Sequence, residues 1–275
     1  MIKITIITIN YNDKVGLKNT IESVINQTYK EFEFIVIDGA STDGSKEIIE
    51  QNSSKINYWV SEKDSGVFNA MNKGIKAATG EFVLFMNGGD CFEKNTILEE
   101  VFPYLNSDYD IYYGNNYKVS SNSKRLKTYP EKLNFSFFYS SSINHQSTFI
   151  RKSLFDRYFY YNENYKIASD WEFFVVLICK ENIPYKYLSK TIALYDFNGI
   201  SSRPESSSLF KNEKLKTLEK YFPAFYDDYI QLSVLNSKRF LQINHLKNHK
   251  IPWTFLKLIL NILLLFLPFK SNKHK

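Results

Sequence analysis

Three aspartates stand where alternating strands and helices would bring them together. Asp38 closes the apolar run Phe32–Ile37, Asp64 follows the run Ile56–Val60, and Asp90 follows Phe82–Met86. The first run, Lys3–Ile9, ends in Thr8-Ile9-Asn10-Tyr11. In an open parallel sheet, ligands bind outside the carboxyl ends of the strands, where helix N-termini and loop amides converge. Carboxylates crowded on that rim repel one another, so they persist only with a cation, with hydrogen-bond donors or with solvent. Any one of these acids alone reads as the cap of a turn or helix. Three on consecutive strands weaken that plain reading.

The elements that must position these acids follow from periodicity. After the β-branched run Lys3–Ile9, the segment Leu17–Gln27 places Leu17, Ile21, Val24 and Ile25 at helical spacing. Phe32–Ile37 gives a second strand, closed by the turn-rich cluster Asp38-Gly39-Ala40-Ser41-Thr42-Asp43-Gly44, which also caps a helix over Ser45–Gln51. Ile56–Val60 gives a third strand, followed by the loop Glu62–Gly66 and a helix striped by Val67, Met71, Ile75 and Ala78 until Gly80 stops it. Phe82–Met86 is the fourth strand. Runs that are apolar on both faces and alternate with helices predict a doubly wound α/β fold, a mostly parallel sheet covered on both sides. Beyond the turn Asn87–Glu93 and a helix over Thr96–Leu105 the pattern loosens into short strands, Ile111–Gly114 and Tyr117–Ser120, and this half reads as irregular α+β. Ser169–Lys180 is a clear helix, followed by strands near Tyr185 and over Ile192–Phe197 and by the polar loop Asn198–Ser208. We expect one domain over 1–225 and a helical tail over 226–275.

Composition narrows the function classes. The 275 residues are 44% apolar and 23% charged, which excludes disorder, collagen-like repeats and a disulfide scaffold. Cys91 and Cys179 sit far apart in apolar stretches and read as two reduced thiols. The net charge is +6, but the basic residues are mostly Lys scattered in ones and twos, so nucleic acid is not an expected partner. The apolar N-terminus is too short for a signal sequence, which points to the cytoplasm. A P-loop nucleotide hydrolase is excluded because G-x-x-x-x-G-K-[ST] is missing. A nucleotidylyltransferase would want a Gly-rich basic loop after the first strand, and Thr8–Asp13 has neither Gly nor Lys.

Taken in order, Thr8-Ile9-Asn10-Tyr11-Asn12, Phe34-Ile35-Val36-Ile37-Asp38-Gly39-Ala40-Ser41-Thr42-Asp43-Gly44, Asp64-Ser65-Gly66 with Asn72-Lys73-Gly74, Ala78-Thr79-Gly80-Glu81 and Asn87-Gly88-Gly89-Asp90 resemble the N-terminal signature series of family 2 glycosyltransferases. The likeness continues more weakly through Asn144-His145-Gln146-Ser147-Thr148, Ser169-Asp170-Trp171-Glu172 and Gly199-Ile200-Ser201-Ser202. It implies a GT-A fold, with a nucleotide-binding half merged with an acceptor half. It also implies a UDP- or GDP-linked sugar donor, Mg²⁺ or Mn²⁺, and inversion at the anomeric carbon. The expected acceptor is a hydroxyl of a glycan or lipid-linked glycan in cell-surface polysaccharide synthesis.

The same resemblance distributes roles. Thr8, Asn10, Tyr11, Asp38, Asp64, Gly66 and Asn72 fall on nucleotide-binding positions. Asp38 suits the N–H edge of uracil or guanine, and Gly66 lets backbone approach the ligand. A diphosphate entering an acidic rim needs a bridging cation. Asp90 is its expected ligand, with Asn87 standing where the family usually has a second carboxylate. Asp170 falls on the family's catalytic base, which would take the acceptor hydroxyl proton. Read plainly, Ser169 and Glu172 form a capping box and Asp170 is an ordinary first-turn acid whose charge the helix dipole favours. Ser169, Glu172, His145, Gln146 and Arg203 are placed around the donor or acceptor pocket; His145 serves equally as a structural histidine and Arg203 as a solvated loop residue. The rival reading is a catalytically silent sugar-nucleotide binder or scaffold, given the missing first acid of the metal motif. Retention of Asp90 and Asp170 argues against it.

The tail makes a separate prediction. From Pro252 to Phe269 the chain is almost entirely Leu, Ile, Phe and Trp, with Thr254, Lys257 and Asn261 on one stripe continuing from Lys250. An amphipathic helix over 252–269 is expected to lie in a membrane interface, with Trp253 at the headgroups and Lys270, Lys273 and Lys275 on anionic lipid. The enzyme would then be peripheral, on the inner face of the cytoplasmic membrane. Covering a groove on its own domain or on a partner subunit is the alternative use of such a helix.

Overall fold

The computed structural model describes residues 4–120, 122–197, 206–225, 228, 232, 234–235 and 237–267. It divides into two compact units, Met1–Tyr221 and Phe222–Lys275. Among the described residues of the first unit, nine strands form one sheet in the order Tyr58–Ser61, Phe32–Asp38, Ile4–Asn10, Phe82–Phe85, Thr148–Arg151, Ile111–Ser120, Tyr185–Asp196 and Cys91–Phe92, with Ser123–Lys127 paired to Ile111–Ser120.

The parallel half is β1 (Ile4–Asn10), β2 (Phe32–Asp38), β3 (Tyr58–Ser61) and β4 (Phe82–Phe85). β1 lies between β2 and β4, with Asn10 in register with Asp38, so the polar ends of these strands fall on one rim. Side chains alternate between two buried faces. Ile4, Ile6, Phe34, Val36, Phe82 and Leu84 join Leu17, Ile21 and Val24 of helix α1 (Lys14–Ile25) in one core. On the opposite face helix α3 (Val67–Ala77) runs close to β1: a Cβ added to Gly74 would stand 2.4 Å from Ile7 Cγ2. The doubly wound architecture expected from the sequence is present. A helix α2 (Ser45–Gln51) follows β2 as anticipated.

The second half departs from the expected short pieces. Ile111–Gly114 and Tyr117–Ser120 belong to one ten-residue strand, β6 (Ile111–Ser120). Register shifts around Asn115 interrupt its alternation, and Gly114 allows the chain to approach Lys190 O, which a Cβ would meet at 2.6 Å. Likewise β9 runs unbroken over Tyr185–Asp196. The expected turn Asn87–Glu93 contains β5 (Cys91–Phe92), paired to β9, and the Thr96–Leu105 helix is a short α4 (Ile97–Val101) that tightens into a 3₁₀ turn at Pro103. The hairpin partner β7 (Ser123–Lys127), helix α5 (Phe135–Ser140), strand β8 (Thr148–Arg151) and helix α6 (Ser153–Arg157) complete the connection. Helix α7 (Ser169–Cys179) then covers the sheet, its Phe173 stacked on Phe155 at 4.4 Å and packed edge-on to Tyr161. Such aromatic pairs add about 0.5–1.5 kcal/mol each beyond the burial of their area. Helix α8 (Ser206–Tyr221) closes the unit.

In the second unit, helices α9 (Lys238–Lys247) and α10 (Lys250–Leu265) carry exposed apolar side chains along nearly their whole length. Among the described residues no helix is long and apolar enough to cross a membrane. Cys91 and Cys179 are free, and burial pushes both thiols up to about 11.

Candidate active site

A cleft of about 1510 Å³ opens at the carboxyl ends of β1, β2, β3 and β4. Its lining includes Asn10, Tyr11, Gly39, Ala40, Asp64, Gly66, Asn87 and Asp90 from the parallel half, and His145, Gln146, Asp170, Trp171, Tyr195 and Phe210 from the second half. The aspartates expected on one rim do not all face it, however.

Asp38 is not among the residues that line the cleft. Its side chain is fully buried, and its two oxygens accept from Asn10 Nδ2 (3.1 Å), Ser41 Oγ (2.5 Å), Ser41 N (2.9 Å) and Ser61 Oγ (2.6 Å). A carboxylate has about four acceptor positions, and these donors fill them. Asp38 therefore holds the rim in shape: the bond to Ser41 N folds the chain back and keeps Ala40 at φ +60°, a region costly for a residue with a Cβ. Thr8 and Asn72 also stand off the cleft. Thr8 Oγ1 donates to Met86 O at 2.7 Å, joining β1 to the end of β4. Asn72 Nδ2 donates to Tyr161 O and Glu163 Oε1 while its Oδ1 accepts from Tyr161 N, so its amide ties α3 to the chain before α7.

Asn10, Tyr11, Asp64 and Gly66 do line the cleft. The Tyr11 ring is 68% exposed. Asp64 Oδ1 accepts from Gly66 N at 3.0 Å, and Gly66 has φ +138°, a conformation that favours glycine.

Asp90 lies at the cleft floor, 3% exposed, and its Oδ1 accepts from Asp196 N at 2.9 Å. Burial pushes its carboxyl up to about 7, against the bonds from the Asp196 amide and Gln146. Beside it Asn87 Nδ2 donates to His145 Nε2 at 3.0 Å, while Asn87 Oδ1 and Gln146 Oε1 are buried without a hydrogen-bond partner. Among the described residues no three His, Cys, Asp or Glu side chains converge on a metal position. What is present is one carboxylate flanked by unpaired amide oxygens, an all-oxygen donor set that suits a hard cation such as Mg²⁺ or Mn²⁺.

Asp170 stands in the first turn of α7. Its Oδ1 accepts from Trp171 N at 2.7 Å and its Oδ2 is 3.0 Å from His145 Nδ1. The capping box does not form: Ser169 Oγ accepts from Asn162 N, and the Glu172 side chain is buried, its carboxyl raised by desolvation. Neither Ser169 nor Glu172 lines the cleft, whereas His145 and Gln146 do. Arg203 lies outside the described residues.

Three residues of this site carried no signal in the pattern. Asp196, from the far strand β9, reaches the floor and lies against Gly89, whose φ is +96°. Asp13 accepts from Gly16 N and caps α1 at the cleft edge. Glu213 of α8 accepts from the backbone N–H groups of Lys166, Ile167 and Ala168, at 2.7, 3.1 and 2.8 Å, and so fixes the segment that leads into Asp170. Only a contact between distant segments reveals it.

The model of the family described as Glycosyl transferase family 2 matches residues 5–162. The chain belongs to glycosyltransferase family 2. This glycosyltransferase is 27% identical over 220 residues to a PGL/p-HBAD biosynthesis glycosyltransferase of Mycobacterium bovis, covering 78% of this chain and 84% of that one. Its fold is similar to that of S. aureus TarS 1–349 in complex with UDP-GlcNAc, with a TM-score of 0.63 at 22% identity over 86% of this chain and 67% of that one. It is also similar to the mannosyltransferase PcManGT of Pyrobaculum calidifontis in complex with GDP-Man and Mn²⁺, with a TM-score of 0.62 at 13% identity over 95% and 80% of the chains. The glycosyltransferase fold is thus GT-A, the mixed α/β sheet described above.

Proposed function

We propose that this glycosyltransferase moves a sugar, with inversion, from a UDP- or GDP-linked donor to a hydroxyl of a glycan or lipid-linked glycan at a membrane surface. One observation carries the reading: Asp64 and Asp90 line the same cleft as Asp170. The complexes named for TarS and PcManGT contain nucleotide sugars and support a donor of that class.

In this reading the Tyr11 ring stacks on the nucleobase, and Asp64 makes the base or ribose contact. The diphosphate lies over Asn87-Gly88-Gly89-Asp90. Asp90, with the amide oxygens of Asn87 and Gln146, would hold Mg²⁺ or Mn²⁺, which when bound neutralises the diphosphate and stabilises it as a leaving group. Asp170 receives the proton of the acceptor hydroxyl as that oxygen bonds to the anomeric carbon from the face opposite the phosphate. The carbon–phosphate oxygen bond breaks, and the electron pair leaves with the nucleoside diphosphate. Asp170→Asn is expected to keep donor affinity by calorimetry and to lower kcat about 10²- to 10⁴-fold. Turnover near the wild-type rate would leave Asp170 a helix-capping acid.

The second unit supports the membrane part. Residues 237–275 contain seven lysines and one arginine and no Asp or Glu; with the whole chain at +6, the first 236 residues carry a net −2. Exposed Phe240, Leu241, Ile251, Phe255, Leu258 and Ile262 accompany these cations. The 16 residues of α10 span about 24 Å at about 1.5 Å each, short of a hydrocarbon core of about 30 Å. Spanning would also bury Lys257 at about 2.5–3.5 kcal/mol. An in-plane pose on an anionic inner leaflet avoids that cost.

A further inference from the structure

Asn87 places an amide, not a carboxylate, in the cleft, and its contacts give that choice a chemical meaning. Its Nδ2 lies 3.0 Å from His145 Nε2, and His145 Nδ1 lies 3.0 Å from Asp170 Oδ2. An amide nitrogen only donates, so Nε2 must accept. The ring proton then sits on Nδ1 and is donated to Asp170. Phe85 packs edge-on to the imidazole with centroids 6.1 Å apart, and His145 begins a 3₁₀ turn (His145–Ser147) whose Ser147 N donates to Asn144 O. The three side chains come from three segments: the loop after β4, the turn before β8 and the start of α7.

We propose that His145 is the positioning residue of Asp170, and that Asn87 selects the Nδ1–H tautomer in which it can act. This rests on Asp170 being the base. The bond from Nδ1–H, together with that from Trp171 N, orients the carboxylate, and the Asn87 N–H blocks Nε2 as an alternative proton site. The acceptor proton therefore stays on Asp170. An aspartate at position 87 would offer only acceptor oxygens, and Nε2 would then have to carry a proton.

Two measurements test this. In ¹⁵N-histidine-labelled protein, the His145 signals, assigned by their loss in His145→Asn, are expected to report a protonated Nδ1 and a bare Nε2, with Nε2 gaining a proton in Asn87→Asp. A wild-type Nε2–H tautomer would overturn the proposal without touching the role of Asp170. With UDP-N-acetylglucosamine and GDP-mannose as donor probes, turnover is followed for His145→Ala, His145→Asn and Asp170→Asn. His145→Ala is expected to lower kcat about 10- to 100-fold, the usual loss when an orienting partner is removed, with donor KM within about twofold. His145→Asn, whose amide nitrogen falls near the place of Nδ1, is expected to restore most of that loss, which a packing role would not allow. Full turnover by His145→Ala beside an inactive Asp170→Asn defeats the positioning role alone. An active Asp170→Asn defeats the base reading instead.

Discussion

Gly39 lies directly under the Asp64 carboxylate: a Cβ at position 39 would stand 2.6 Å from Asp64 Oδ2 and 3.1 Å from the Tyr11 ring. Two groups assigned to the nucleotide are thus spaced by the absence of one methyl group. Gly39→Ala should weaken UDP or GDP binding at least tenfold, about 1.4 kcal/mol, with little change in melting temperature. Calorimetry showing unchanged affinity would remove Asp64 and Tyr11 from the nucleotide site.

Asp38→Ala should act first on stability. It strands buried donors on Asn10, Ser41 and Ser61, an effect of roughly 3 kcal/mol in chemical denaturation. A variant as stable as the parent but unable to bind nucleotide would return Asp38 to a ligand role.

Asp90→Ala should abolish Mn²⁺ binding measured by calorimetry in the absence of donor, while Asn87→Asp should tighten it by adding a second charge. Equal Mn²⁺ affinity in all three proteins would place the cation elsewhere. Chelation by EDTA is expected to halt turnover.

Lys214 offers a pH test remote from the cleft floor. Its Nζ donates to Tyr139 O at 2.8 Å and sits 4.6 Å from the centre of the Trp171 ring, and burial brings its pKa down to about 8 from 10.5. Between those values the unfolded chain binds the extra proton, so this residue makes stability rise with pH from about 8 towards 10.5. The contribution is on the order of 3 kcal/mol over the full window. Lys214→Met should flatten that rise; the same gain in stability from pH 7.5 to 9.5 in parent and variant, measured by urea titration, would contradict it.

Removing residues 252–275 should leave an active enzyme that no longer sediments with phosphatidylglycerol-rich vesicles, with salt weakening the parent's binding. Retained sedimentation would assign the contact to another surface, and loss of folding would assign the helix to a groove.

The parallel half was legible because its strands are buried on both faces and its helices are amphipathic, so period alone marks Ile4–Asn10 and Phe82–Phe85. β6 was split on paper because a bulge at Asn115 breaks alternation, a feature set by pairing with β9 rather than by neighbours in sequence. At the site, Asp64, Asp90 and Asp170 were found by their place in motifs. Strand-end position marks Asp38 but does not say which side of the turn its carboxylate satisfies, which only its bonds to Asn10, Ser41 and Ser61 show. For His145 the sequence leaves a pocket and a structural role equally open, since only the Asn87–His145–Asp170 distances decide what its nitrogens touch. The charge bias of residues 237–275 was visible in the sequence but diluted by averaging over the whole chain.

The three amides gathered by Glu213 bear on where this enzyme can be cut. The family match ends at residue 162, before Asp170 and well before α8. An excised fragment or fusion that respected that limit would keep Asp64 and Asp90 and lose both Asp170, the proposed base, and Glu213, the acid that fixes its approach. A transplantable module therefore has its distal boundary beyond Tyr221, and donor-half chimeras joined inside residues 163–213 should be inert even when they fold.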